Sequence, residues 1–118
     1  MAAITPQQIS EAGVADLTLT AAAGGGDTFV HYATLMLLIV NGSGSPITIT
    51  VSEQLATNTE PTNTIYGSLT KSDATLVVGA GDTGIFGPFA AKSFKDSSGN
   101  INVSYSGVTS LTIAGIFI

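Results

Sequence analysis

The sequence has no cysteine and no tryptophan, one histidine, and only three cations, Lys71, Lys92 and Lys95, in 118 residues. Without cysteine there is neither a disulfide framework nor a thiolate metal site, a usage that suits either side of a membrane. With His31 alone, a zinc site would have to be built from carboxylates. No nucleophile-elbow sequence accompanies that histidine, so a serine triad has no visible frame. Three cations against eight carboxylates, a net charge of −5, are too few to neutralise a run of phosphates. That argues against a nucleic-acid partner and equally against an anionic membrane surface. The longest apolar run, Leu35-Met36-Leu37-Leu38-Ile39-Val40, is far too short to cross a bilayer. The N-terminus has no positive region followed by an apolar core, so synthesis and folding in the cytoplasm are expected.

What is present is apolar, small and hydroxylated. Hydrophobic residues make up 44% and charged residues 9%, with 14 glycines. One domain of this length buries roughly two-thirds of its unfolded surface and needs no metal or disulfide to fold. So little charge leaves few groups to solvate the surface. Such a chain either exposes threonine- and serine-rich strand faces or covers itself with partners.

The C-terminal stretch organises the rest. Ile101, Val103 and Tyr105 alternate with Asn102, Ser104 and Ser106, the period of a half-buried strand. Ser106-Gly107 interrupts the alternation, and a return strand places Leu111, Ile113 and Phe117 on one face, which predicts a closing β-hairpin. Its other face begins polar at Ser110 and Thr112 and ends apolar at Ala114, Ile116 and Ile118, so the last residues are expected to be buried on both sides. The plainer explanation is a core strand of the chain's own sheet; the alternative is burial against another chain.

Residues 1–13 read as an extended arm, with Ile4, Pro6 and Ile9 spaced by small and polar residues. Residues 14–118 read as a single domain. Within it Asp16-Leu17-Thr18-Leu19-Thr20-Ala21 predicts a first strand, and Thr28-Phe29-Val30-His31-Tyr32 a second. The run from Thr34 to Asn41 reads as a central strand covered on both faces, forming a hairpin with the clean alternation Ile47-Thr48-Ile49-Thr50-Val51-Ser52. Residues 53–73 have no apolar rhythm and predict a long surface loop, stitched down by Ile65, Tyr66 and Leu69. Ala74-Thr75-Leu76-Val77-Val78 is a further strand, and Pro88 must end the strand before it or lie at an edge. About eight short strands between glycine-rich turns, with no substantial helix, predict an all-β fold: an antiparallel, jelly-roll-like β-sandwich with an extended N-terminal arm.

No residue pattern points to chemistry. His31 reads as a solvated or hydrogen-bonded structural histidine. Asp27, Asp82, Asp96 and Asn100 lie in or beside turns; their spacing matches no EF-hand, and capping of their own turns outweighs calcium binding. Gly24-Gly25-Gly26 and Gly79-Ala80-Gly81 lack the helix and the Lys-Ser/Thr of a phosphate loop. With only Tyr32, Tyr66 and Tyr105 beside the missing tryptophan, an enzymatic sugar cleft is poorly furnished. No catalytic residue, cofactor or metal is expected, and the chain does not read as an enzyme.

Several blocks carry a resemblance. These are Gly26-Asp27-Thr28-Phe29, the stretch from Leu37 through Asn41-Gly42-Ser43-Gly44-Ser45-Pro46 to Val51, Val78-Gly79-Ala80-Gly81-Asp82-Thr83, Gly87-Pro88-Phe89, and the stretch from Gly99 to Ala114. Together they resemble the small head decoration, or cement, proteins of tailed bacteriophages over most of residues 26–118. The chain departs from that pattern at Phe29 to Thr34 and in residues 53–73. The resemblance implies a β-sandwich seated on the outside of a capsid, with the major capsid protein as partner. It also implies a homo-oligomer, a trimer before a dimer, and a terminal arm reaching neighbours. On that reading Ile4, Pro6 and Ile9 in the arm, then Leu55, Ile65 and Tyr66 in the long loop, make the contacts. The alternatives are a carbohydrate-binding, lectin-like β-sandwich displayed on a virion and, last, a small hydrolase joining His31 to a carboxylate.

Overall fold

The computed structural model describes residues 2–54 and 72–118. Alternation decides which residues form strands. In β4 (Asp27–Val30), β5 (Met36–Asn41), β6 (Ile47–Val51) and β9 (Asn100–Tyr105), every second side chain enters the core, so each segment buries one face only as an extended strand. Around these lie β1 (Ala2–Ile4), β2 (Gln7–Gln8), β3 (Thr20–Ala21), β7 (Ala74–Val78), β8 (Thr83–Phe86) and β10 (Leu111–Phe117), with one helical turn, α1 (Ala91–Phe94).

The strands make two mixed sheets. The first has the order β1-β4-β9-β6-β7; the second has the order β2-β10-β5-β8, with β3 also on β10. All pairings are antiparallel except those of β1 with β4 and β2 with β10, which are parallel. The inner faces share one core, in which Phe29, Ile49 and Ile101 from the first sheet and Leu37, Ile39 and Ile113 from the second are fully buried.

Both expected hairpins are corrected. The strands β5 and β6 do not pair, and neither do β9 and β10; each couple is divided between the two sheets. A strand that folds back beside itself favours a two-residue turn. Here residues 42–46 and 106–110 instead carry the chain across the gap between sheets, roughly 10 Å in packed sheets. Side chains and backbone brace these crossings. The Asn41 amide donates to the carbonyl of Ser45 at 2.8 Å, and Gly42 N–H donates to Ser110 O at 2.9 Å. Consecutive strands therefore lie in opposite sheets more often than side by side.

Other differences are local. The expected first strand shrinks to β3, because Leu17 is half-buried and the rest of residues 14–19 is exposed, giving an alternating pattern nothing to pack against. The strand at β4 stops at Val30, and His31 N–H turns to the carbonyl of Gly99. The strand β5 is central, between β10 and β8, but Met36, Leu38 and Val40 are only half-covered on its outer side. Burial on both faces of the closing strand holds for Ala114, Gly115 and Ile116 and ends before Ile118, which is 72% exposed. The stop at Pro88 is as read from sequence: β8 ends at Phe86.

Candidate functional site

The residues expected to make contacts in the arm are brought together, against the chain's own sheets. The strand β1 runs along β4 with Ala3 beside Thr28, and β2 runs along β10 with Gln8 beside Phe117. Ile4 packs on the core, Pro6 is buried between the two short strands, and Ile9 is half-buried with its N–H donating to Phe117 O at 2.7 Å. The Gln7 side chain does the work of a missing strand neighbour. Its Nε2 donates to Thr18 O at 2.8 Å, and its Oε1 accepts from Thr18 N–H at 3.0 Å. Between this arm and β3 lies a cavity of about 380 Å³ lined by Ala2, Ile4, Thr5, Thr18 and Thr20. Leu55, Ile65 and Tyr66 lie outside the described residues.

The two sheets present unlike outer faces. On the first, Thr28, Asn102, Ser104, Thr50, Thr48 and Thr75 face outward, together with Val30, 48% exposed, and Val77, 63% exposed. On the second, cross-strand rows place Ala114, Leu38 and Ile85 side by side, with Ile116 and Met36 in one flanking row and Thr112, Val40 and Thr83 in the other; Ala114 and Ile116 are themselves buried, and Met36, Leu38 and Val40 are half-covered. Ile85 is 60% exposed. This second face carries no charged residue at those positions. Sequence periodicity missed it because β5 alternates between two apolar sets, leaving no polar phase to mark an outside.

The titratable residues are spread apart. His31 Nε2 lies 2.7 Å from the carbonyl of Phe89, so that nitrogen carries the hydrogen and the ring ties β4 to the segment after β8. Asp27 is fully buried on the inner side of β4. Its Oδ2 accepts from Tyr105 Oη at 2.6 Å and from Ala23 N–H at 3.2 Å, while Oδ1 has no partner among the described residues. Burial first, then the hydrogen bond to Asp27 and its charge, push the Tyr105 phenol well above its ordinary value. The sequence signal for this pair was an aspartate placed on the same strand face as Phe29, which was read as part of a turn.

Asp96 caps its own turn. It accepts from Ser98 N–H, Asn100 N–H and Asn102 Nδ2, each at 2.9 Å. Burial works to raise its carboxyl, but these bonds outweigh it and hold the group below its ordinary value. Asp82 turns its carboxylate back over Gly79. Among the described residues, no three histidine or acidic side chains stand where they could hold one metal ion.

A near-parallel stack of Tyr32 on Phe117, with ring centroids 3.9 Å apart, lies beside the chain end, and Tyr32 is 39% exposed. In comparisons with known proteins, no family model, no curated protein and no solved structure matches this chain.

Proposed function

We propose that this chain is a decoration protein of a tailed-bacteriophage head: a jelly-roll-like sandwich on the capsid exterior that binds the major capsid protein and stabilises its lattice. The observation that carries the reading is the uncharged outer face of the second sheet, where Leu38 on central β5 is half-covered and Ile85 on edge strand β8 is 60% exposed. Interface centres are depleted in charge in the same way. The opposite face is richer in threonine and serine, with Val30 and Val77 exposed among them. The mechanism is thermodynamic: a protein that binds the assembled shell better than loose subunits shifts the equilibrium toward the shell. Many copies on one lattice, a trimer being the favoured unit, then act together.

The test is co-sedimentation with purified DNA-free heads of the phage that carries the gene. Wild type is expected to bind saturably. Ile85→Lys, at an exposed position that leaves the core alone, is expected to lose binding while keeping its melting temperature. A wild-type protein that stays in the supernatant overturns the proposal. The Tyr32–Phe117 stack favours a second reading, a carbohydrate-binding module, since sugar rings pack on exposed aromatic faces. Glycan binding lost in Tyr32→Ala, with heads ignored, would establish it instead.

A further inference from the structure

Glycine follows Asn41 and no other asparagine of this chain: Asn58, Asn63, Asn100 and Asn102 each precede threonine, isoleucine or valine. The difference is chemical. A backbone nitrogen can attack the side-chain carbonyl of the asparagine before it and close a five-membered imide. A following glycine has no Cβ to obstruct the approach, whereas a β-branched residue crowds it. In the unfolded chain Asn41 is therefore the most reactive asparagine, and the fold decides what becomes of it.

The folded chain holds this reaction half prepared and half blocked. Oδ1 of Asn41 accepts from Ser43 N–H at 3.0 Å and from Ser43 Oγ at 2.7 Å. Donors on that oxygen polarise the Cγ carbonyl and stabilise the negative charge that attack places on it. The nucleophile is withheld. Gly42 N–H donates to Ser110 O at 2.9 Å, and Asn41 is held at the end of β5 in register with Leu111 on β10. The amide that must leave is tied to Ser45 O at 2.8 Å, Val78 O at 3.0 Å and Gly79 O at 3.2 Å. The preparing contacts lie two residues along the chain; the blocking contacts to Ser110, Val78 and Gly79 are remote. Parting of residues 42–46 from residues 106–110 removes the block and leaves the preparation. Ser110 also holds a φ of +52°, a costly conformation for serine, so the latch carries strain.

We propose that Asn41–Gly42 is a self-modification site that the fold keeps shut, and that a molecule whose junction opens there is converted one way. Hydroxide takes the proton of Gly42 N, and the nitrogen bonds to Cγ of Asn41. The Cγ–Nδ2 bond breaks, and the amide leaves as ammonia with a proton from water. Water then opens the imide at either carbonyl. The product is aspartate at position 41 or, with the backbone rerouted through the side chain, isoaspartate. Neither fits the closed junction. Aspartate sets a carboxylate against three carbonyls at a fully buried position. Isoaspartate adds a methylene to the backbone at the end of β5 and moves Gly42 off Ser110. The inference concerns the chain itself and does not rest on the capsid reading.

The test ages full-length wild type in mildly alkaline buffer, folded and in urea, and reads the peptide containing Asn41 by mass spectrometry after digestion with pepsin. Isoaspartate is counted with protein isoaspartyl methyltransferase. Modification at Asn41 should be at least about 100-fold slower in the folded protein, as expected if the junction is closed nearly all the time. Asn100, which precedes Ile101, should stay largely intact in both samples. Diluting the urea sample should then return to the wild-type melting temperature only the fraction with Asn41 intact, separable by anion exchange from the more acidic product. Gly42→Ala restores a Cβ, which would lie 3.1 Å from Ser110 O in the fold. Aged in urea, that variant should be modified at least about ten times more slowly and keep its capacity to refold. Smaller protection in folded wild type, or modified wild type that regains its full melting temperature, overturns the proposal. So does a Gly42→Ala protein that folds when fresh and loses refolding as fast as wild type; should that variant not fold, the two wild-type measurements decide.

Discussion

The hydroxyl of Tyr105 donates to Oδ2 of Asp27 at 2.6 Å, joining a fully buried carboxylate on β4 to the end of β9. The same oxygen accepts from Ala23 N–H, whereas Oδ1 has no partner among the described residues. Tyr105→Phe therefore removes a charge-assisted bond from an under-satisfied group. The expected loss is about 1.5–3 kcal/mol, read from urea unfolding at neutral pH. Asp27→Asn keeps an oxygen for Tyr105 and Ala23 and puts a neutral amide at the orphan position, so it should cost less. A larger cost for Asp27→Asn would mean that Oδ1 makes a bond of its own, through water.

The same pair sets a dependence on alkaline pH. Burial and Asp27 raise the Tyr105 phenol above its ordinary value of 10.0, so the folded chain keeps its proton where the unfolded chain releases it. That contribution is complete below the ordinary value and is lost as pH rises through the folded one. Urea midpoints of wild type should therefore fall with pH above about 10, and part of that slope should vanish in Tyr105→Phe. Equal slopes in the two proteins would remove the phenol from the account.

Gly115 lies on the inner side of β10, where an added Cβ would come 2.8 Å from Cδ2 of Phe29 and 3.4 Å from Cδ1 of Leu35. Phe29 is fully buried and has no free space to retreat into. Gly115→Ala is expected to destabilise by about 1–3 kcal/mol through overpacking. Shortening the ring in Phe29→Leu should reduce that penalty, so a double-mutant cycle should show coupling of about 0.5 kcal/mol or more. Additive effects would place the strain elsewhere.

Asn41 is a buried junction between turns. Its Nδ2 faces the carbonyls of Ser45 at 2.8 Å, Val78 at 3.0 Å and Gly79 at 3.2 Å, and its Oδ1 accepts from Ser43 N–H at 3.0 Å. Asn41→Asp sets a second acceptor against three carbonyls at a fully buried position. Its expected cost is about 3–5 kcal/mol, the scale of an uncompensated buried charge. Asn41→Ala, which strands polar groups but adds no charge, should cost about 1–3 kcal/mol. Thermal melts that reverse this order would show that the site relaxes to admit water.

The strands were legible where one face is apolar and the other polar. Ile47-Thr48-Ile49-Thr50-Val51 became β6 and Ala74-Thr75-Leu76-Val77-Val78 became β7, as their alternation required. Pairing was not legible. Residues 42–46 and 106–110 contain the glycine and serine of ordinary turns, but whether a turn returns along an edge or crosses to the facing sheet depends on what it bonds to. The decisive partners, such as Val78 O for Asn41 and Ser110 O for Gly42, are remote in the chain. Ile4, Pro6 and Ile9 stood out by their spacing as apolar residues of the N-terminal segment. The parallel seats they take on β4 and β10 were not, because parallel edge pairing leaves no mark in a short segment. Asp27 was misread as turn chemistry since glycines precede it; only its shared phase with Phe29 hinted at burial.

The turn at Asp96 gives the last prediction, on the acid side. Its carboxyl is held below the ordinary value of 3.8, since burial is outweighed by bonds from Asn100, Asn102, Ser98 and Gly99. A lowered carboxyl contributes stability that is present above its unfolded value and disappears as pH falls through the folded one. Asp96→Asn should therefore unfold less steeply with acid than wild type while being less stable at neutral pH. The difference should stay below about 1 kcal/mol, because the group is only partly covered and water screens it. The Asn102 amide, which donates to Oδ2 at 2.9 Å, provides the control. Asn102→Ala removes one of the bonds and should shift the acid midpoint in the same direction by a smaller amount. If Asn102→Ala instead matches Asp96→Asn, the side-chain bond alone sets the titration, and the backbone donors of Ser98 and Asn100 contribute only to the shape of the turn.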